Sequence, residues 1–183
     1  MTRVDVAVVG AGPAGAVAAY TLASHGASVV LLDRARFPRD KPCGGGLTGR
    51  AVRLLPFSVE PVVEDRIHRI DFRLGYGWSF HRCAVDALVL MTQRRRLDAF
   101  LVEHAARAGA EFRDGVKASR VERNGSGAVV RTDSGDVHAD LVIGADGANG
   151  VSASAVAKPV DRAHCVALEG NVAGSNRRGW QRT

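Results

Sequence analysis

Three glycines stand at phosphate-binding spacing near the beginning of the chain, in the segment GAGPAG at residues 10–15. Gly10 allows a tight turn, Gly12 leaves room for a pyrophosphate against the backbone, and Gly15 lets a helix pack closely on the preceding strand. A helix that begins at Pro13 and Ala14 would add partial positive charge and free amide donors. This spacing therefore predicts the binding of a dinucleotide.

An acidic residue follows at the distance that such a site requires. Asp33 ends the next apolar run, ASVVLLD, where a carboxylate accepts hydrogen bonds from a ribose 2′-hydroxyl. An acid at this position disfavours a 2′-phosphate, so NADP is disfavoured in this pocket while NAD and FAD both remain. The alternative interpretation is a glycine turn with an unrelated surface aspartate.

The elements that would position these residues follow from the apolar pattern. A β-branched run at 4–10 predicts a buried parallel strand, 13–26 a helix that stops at Gly26, and 27–33 a second buried strand. Apolar residues at 97, 100, 101, 105 and 108 predict a helix that ends at Gly109. The segments 115–123, 127–133 and 136–140 predict a β-meander, and LVIGADG at 141–147 predicts a further buried strand with Asp146 and Gly147 at its carboxyl edge.

This order of elements resembles the flavoproteins of the glutathione-reductase fold, in their aromatic-hydroxylase-like branch, over residues 1 to about 155. The loop KPCGGGL at 41–47 looks like the Pro-x-x-Cys-Gly-Gly-Gly loop of geranylgeranyl reductases, which use FAD to reduce isoprenoid double bonds. The segment RRRLD matches the family's Arg-x-x-aromatic-Asp helix start at Arg94 and Asp98, with leucine in place of the aromatic residue. Spacing alone does not decide which arginine of this run turns inward.

The resemblance implies a set of cofactor contacts. The cysteine-glycine loop would lie against the isoalloxazine ring, where the Cys43 thiol either acts on the ring or the substrate as a candidate catalytic group, or packs as a small hydrophobic side chain. The other implied contacts are Asp33 and Arg34 with the adenosine ribose, Arg94 with the pyrophosphate or ribityl, Ala118 with adenine through its backbone, Gly44 and Gly45 beside the flavin, and Asp146 and Gly147 on the flavin side.

Two segments depart from the family pattern. Gly150 occupies the position of a serine that usually follows the Asp-Gly pair, and the usual arginine is missing. The aromatic segment GYGWSF at 75–80 looks like an isoprenoid-binding motif, but it precedes the Asp-Gly strand instead of following it. We interpret it as a strand of an inserted substrate region, with Tyr76, Trp78 and Phe80 on one face.

The predicted fold class is α/β: a Rossmann-like FAD-binding domain of glutathione-reductase type with a β-meander and an incomplete substrate-domain sheet. The FAD-binding domain would span 1–160, with 66–92 as an inserted first piece of the substrate domain. Residues 161–183 would begin a substrate domain that is truncated, because family members are longer.

Composition excludes several other classes of function. The 183 residues are 46% hydrophobic and carry a formal charge of +6, but the basic residues are scattered, so no nucleic-acid partner is predicted. The three cysteines are widely spaced and form no metal-binding pattern. Glycines interrupt the apolar N-terminus, so neither an export signal nor a membrane span is predicted there, and we expect a cytoplasmic protein.

The sequence as a whole predicts an FAD-dependent oxidoreductase that reduces carbon-carbon double bonds of an isoprenoid or prenyl lipid. NAD(P)H would be the electron donor, and a prenyl substrate would imply peripheral contact at the inner face of the membrane. Two alternatives stay open. One is a flavin monooxygenase or halogenase, against which the CGGG loop argues; the other is a non-catalytic FAD-binding fragment.

Overall fold

Strands and helices alternate in the order that the apolar pattern predicts. The structure is a computed structural model that describes residues 2–125, 127–156 and 168–169, so the predicted beginning of a truncated substrate domain at 161–183 lies outside the described residues apart from 168 and 169. The strands are β1 (Thr2–Val9), β2 (Val29–Leu32), β3 (Gly46–Thr48), β4 (Val63–Ile67), β5 (Arg69–Leu74), β6 (Trp78–Cys83), β7 (Val89–Thr92), β8 (Glu111–Arg113), β9 (Ala118–Asn124), β10 (Gly127–Thr132) and β11 (Val137–Gly144). The helices are α1 (Pro13–Ser24), α2 (Gly49–Arg53), α3 (Arg94–Arg107) and α4 (Ala153–Val156), with a 3-10 turn at Glu60–Val62.

A six-stranded sheet carries the predicted glycine segment. Its strand order is β8-β2-β1-β11-β10-β9, in which β8, β2, β1 and β11 run parallel and β10 and β9 are antiparallel. All four residues of β2 are buried, as expected for a parallel strand covered on both faces. The carboxyl ends of β1, β2 and β11 therefore meet at one edge of the sheet.

Helices α1 and α3 cover one face of this sheet. Alanines on the buried side of α1 allow close packing, and the predicted apolar stripe of α3 is buried at Leu97, Leu101 and Ala105. Tyr20 on α1 and His104 on α3 meet around Phe57, whose ring stacks on the imidazole at 3.8 Å. No described helix has the length and apolar character that a bilayer span requires.

One prediction about the meander is wrong. DVHAD and LVIG form the single strand β11, instead of a third meander strand followed by a separate buried one. No glycine or proline interrupts residues 137–143, and β11 pairs with β1 from Thr2↔Val137 to Val9↔Gly144. Continuous pairing with a parallel partner therefore outweighs the apparent boundary.

Two small sheets lie between β2 and α3 in the sequence. One has the order β3-β7-β4, and the other is the β5-β6 hairpin. Tyr76 lies in the hairpin turn, because Gly75 with φ of +59° ends the extended run, so only Trp78 and Phe80 of the predicted aromatic face belong to a strand. Phe72 lies opposite Phe80 and stacks on it at 4.7 Å.

Candidate functional site

The turn between β1 and α1 is fixed by glycines that contact neighbouring backbone. The Gly10 N–H donates to the Leu32 carbonyl at 2.7 Å, and the φ of Gly10 is +101°. A Cβ on Gly10 would stand 2.4 Å from the Ala145 carbonyl oxygen, and one on Gly15 would stand 1.8 Å from the Gly10 carbonyl oxygen. These two positions require glycine, and the turn is held between the ends of β2 and β11.

A Cβ on Gly12, in contrast, would meet only the ends of two side chains within 4 Å. The nearest atoms to a Cβ built there are Nη2 of Arg94 at 3.7 Å and Nη2 of Arg39 at 3.9 Å. Gly12 is also the N-cap of α1, with Pro13 in the first turn. The free amides and dipole of that turn and the two guanidinium groups converge on one place, which is suited to an anion.

Asp33 lies at the carboxyl end of β2, as predicted. Its carboxylate accepts the N–H of Ala11 at 2.8 Å and the N–H of Ala35 at 2.9 Å. A carboxylate has about four acceptor positions, so capacity for a ligand hydroxyl remains. Arg34, the next residue, is exposed.

The structure decides which arginine of the 94–96 run turns inward. Arg94 Nε and Nη2 each donate to the carboxylate of Asp98 at 2.8 Å, and Asp98 is fully buried. Because Arg94 donates hydrogen bonds to this carboxylate, the pKa of Arg94 is raised above its ordinary value. Arg95 and Arg96 instead form ion pairs with Asp40 and Glu64.

Arg39 is a site residue that the sequence reasoning missed. Its side chain is 12% exposed, and its Nη1 lies 3.0 Å from Asp98 Oδ2. Nη1 is nevertheless buried without a hydrogen-bond partner, because the contact is poorly aligned. The signal available in the sequence was an arginine just before the cysteine-glycine loop, in FPRDKPCGGG.

The cysteine-glycine loop comes close to Arg94. The Cys43 side chain is exposed and lies near the Arg94 guanidinium, whose pKa it helps to raise. Gly44 is exposed, whereas Gly45 is buried with φ of +73° and its carbonyl accepts the N–H of Thr92 at 2.9 Å. The structure therefore brings Cys43 together with Arg94 and attaches the loop to β7.

The two loop glycines provide a matched test of this attachment. A Cβ on Gly45 would stand 2.0 Å from the Thr92 carbonyl oxygen, whereas one on Gly44 would meet nothing within 4 Å. We expect Gly45→Ala to lower the free energy of unfolding by roughly 2–4 kcal/mol and Gly44→Ala to change it by less than about 0.5 kcal/mol. Urea denaturation of both variants measures this difference, and equal stabilities would contradict the loop conformation.

The Asp-Gly segment after β11 lies against the glycine turn through its backbone. A Cβ on Gly10 would come within 2.7 Å of the Asp146 N. The Asp146 carboxylate accepts the N–H of Ser152 at 3.0 Å and also the Ser152 hydroxyl. A Cβ on Gly150 would stand 2.1 Å from Asp146 Cγ, so this position of the Asp146 side chain requires glycine at residue 150.

Gly147 and Ala118 are the remaining residues that the sequence predicts to contact the cofactor. Gly147 is exposed with φ of +84°. Ala118 begins β9, two residues after Val116, whose N–H donates to the Asp33 carbonyl at 2.9 Å. The contact of Ala118 with adenine and of Asp146 and Gly147 with flavin stay predictions.

These features define a dinucleotide-binding α/β protein with a glycine cradle flanked by two arginines. The family described as "FAD binding domain" matches residues 3–172. The chain belongs to this family, which confirms the predicted family and FAD as its cofactor.

Relatives named as reductases match most of this chain. A menaquinone reductase of Mycolicibacterium smegmatis is 40% identical over 156 residues, which cover 80% of this chain and 38% of the relative. A geranylgeranyl diphosphate reductase of Rhodobacter capsulatus is 36% identical over 154 residues, with coverage of 80% and 38%. The chain thus spans about two fifths of the length of these curated relatives.

Solved structures agree with the observed fold. A geranylgeranyl bacteriochlorophyll reductase-like protein of Thermoplasma acidophilum matches with a TM-score of 0.70 and 25% identity, over 80% of this chain and 40% of that one. The myxobacterial chondrochloren halogenase matches with a TM-score of 0.70 and 23% identity, over 82% and 38%. The first match confirms the predicted α/β class, and the second is a likeness of fold alone.

The residues present fit FAD. A Cβ on Gly12 would meet no backbone atom within 4 Å, and Nη2 of Arg39 and Nη2 of Arg94 lie beside the place that a pyrophosphate would take. Asp33 keeps acceptor capacity for a ribose hydroxyl at the neighbouring strand end.

Proposed function

We propose that this chain is the FAD-binding part of an oxidoreductase that reduces carbon-carbon double bonds of an isoprenoid or prenyl lipid. The observation that carries the cofactor assignment is the convergence of Arg39 and Arg94 on the open backbone at Gly12. The names of the menaquinone and geranylgeranyl diphosphate reductases support the substrate class. FAD, when bound, would supply hydride transfer, with NAD(P)H as the donor.

The chain's own residues would hold the cofactor from one end to the other. The diphosphate would lie at Gly10, Gly12, Pro13, Ala14 and Gly15, between the two guanidinium groups. The adenosine would extend towards Asp33, Arg34 and Ala118, and the flavin towards Cys43, Gly44, Gly45, Asp146 and Gly147. The proximity of Cys43 to Arg94 supports this direction, because it brings the cysteine-glycine loop near the diphosphate site.

A hydrophobic partner is supported by the β5-β6 hairpin. Leu74 is 80% exposed, Trp78 70% and Phe80 53%, and with Phe72 they occupy one face. Burial of large apolar side chains is the main source of affinity for a prenyl chain. A prenyl-lipid substrate would bring the protein to the inner face of the cytoplasmic membrane.

The substrate assignment is tested by assaying the purified chain with FAD and NADH or NADPH, with geranylgeranyl diphosphate and menaquinone as substrates. The expected result is substrate-dependent oxidation of the nicotinamide and a product that mass spectrometry shows to have gained hydrogen. Oxygen consumption with an oxygenated or halogenated product would favour the monooxygenase or halogenase alternative. Flavin that stays bound without reducing any substrate would favour the non-catalytic fragment.

Cys43 offers a test of the flavin position that does not depend on turnover. We expect bound FAD to slow alkylation of Cys43 by iodoacetamide several-fold, because the flavin would cover the exposed thiol. Cys83, exposed in β6, is the matched control and should react at the same rate with and without FAD. Peptide mapping separates the two sites. Unchanged labelling of Cys43 in a saturated complex would place the flavin elsewhere.

A further inference from the structure

Asp98 is a buried acid without a direct place in the proposed cofactor contacts. It is 0% exposed and lies on α3, one turn after Arg94. A buried carboxylate is costly unless cations and hydrogen bonds compensate it. Here both oxygens accept from Arg94, and Oδ2 also lies 3.0 Å from Arg39 Nη1.

The same carboxylate oxygen therefore holds two guanidinium groups close together. Two guanidinium cations that share one carboxylate oxygen repel each other, and the negative charge of the carboxylate offsets this repulsion. Asp98 supplies this negative charge from the buried side of the two arginines. Nη2 of each arginine lies within 4 Å of a Cβ position at Gly12. Arg39 also keeps a buried donor without a hydrogen-bond partner.

We infer that Asp98 is a positioning residue that fixes Arg39 and Arg94 as a paired clamp for the two phosphates of a dinucleotide. The inference rests on the proposed function, because it assumes that the anion at Gly12 is the FAD diphosphate. Asp98 does not touch the phosphates; it acts through the arginines. Preorganised guanidinium groups lose less conformational freedom on binding than mobile ones.

Asp33 is the other acid near Arg39, and its contacts distinguish its role from that of Asp98. Arg39 Nη2 is 3.8 Å from Asp33 Oδ2, at the limit of an ion pair. Both Asp33 oxygens already accept backbone N–H groups, of Ala11 and Ala35. Asp98 alone among the described residues forms ion pairs with both arginines.

ADP is the probe that tests this inference, because it carries the diphosphate without the flavin. We expect Asp98→Asn to weaken ADP and FAD binding by about 10- to 100-fold, since an amide no longer balances the paired charges. Arg39→Gln combined with Asp98→Asn should cost less than the product of the single effects, since both act on one clamp. Isothermal titration calorimetry of the 183-residue chain measures each affinity. Arg95→Gln, in the same arginine segment at 94–96, is the control variant.

A second measurement keeps the inference testable if the Asn variant does not fold. Arginine side-chain NMR of the unmodified chain should show slowed guanidinium rotation at Arg39 and Arg94 before ADP is added, and shifts at both on addition. Rapid rotation of Arg39 in the free protein, or additive losses in the double variant, would overturn the inference. Wild-type chain that binds neither ADP nor FAD would instead overturn the proposed function.

Discussion

Replacing Arg94 with Gln is expected to raise the Kd for FAD by about 100-fold, the largest binding effect of any substitution of a charged residue at the site. The variant removes a guanidinium that lies beside Gly12 and leaves the fully buried Asp98 without its two hydrogen bonds. Arg39→Gln should raise the Kd by about tenfold or more. This effect is smaller than that of Arg94→Gln, because Asp98 keeps its hydrogen bonds with Arg94. Fluorescence titration of FAD measures both constants.

The neighbouring arginines make this prediction specific. Arg95 and Arg96 belong to the same run but pair with exposed acids at 3.4 and 3.0 Å, so Arg95→Gln should change the Kd by less than about threefold. The ratio of the Kd of Arg94→Gln to that of the wild type should fall as salt rises, because salt screens the phosphate contact that only the wild type makes. Equal losses for Arg94 and Arg95 variants would mean that net charge, instead of the clamp, governs binding.

Replacing Gly15 with Ala is expected to lower the free energy of unfolding by roughly 3 kcal/mol or more and to abolish FAD binding. The added Cβ would stand 1.8 Å from the Gly10 carbonyl oxygen and 3.1 Å from the Ala145 Cβ, so α1 would have to move away from the sheet. That movement would carry the Gly12 backbone out of the clamp. Chemical denaturation and FAD titration measure the two effects.

Gly49 in α2 is the matched helical control. A Cβ there would meet only Arg53 Nη1, at an ordinary 3.5 Å. Gly49→Ala should therefore leave stability unchanged or raise it by up to about 1 kcal/mol, since alanine favours a helix. If Gly15→Ala were as stable as Gly49→Ala, the close approach of α1 to β1 would be wrong.

The sequence by itself determined the order of the main elements and the glycine positions. Apolar runs predicted β1 and β2, the stripe at 97, 101 and 105 predicted α3, and GAGPAG predicted a turn that needs glycine. These are local properties, because periodicity and backbone freedom depend on neighbouring residues. The sequence did not predict that β11 is one continuous strand, because its length is set by pairing with β1 and not by the residues at the expected boundary.

Only the tertiary structure decided which charged residues share the site. Arg39 and Asp98 are far apart in sequence, and the run at 94–96 offers three chemically equal arginines. Asp98 is fully buried on α3, and this buried acid pairs with Arg94, one turn earlier, and with Arg39 of the loop. Such a choice depends on the cost of burying charge in a particular place, which spacing along the chain does not express.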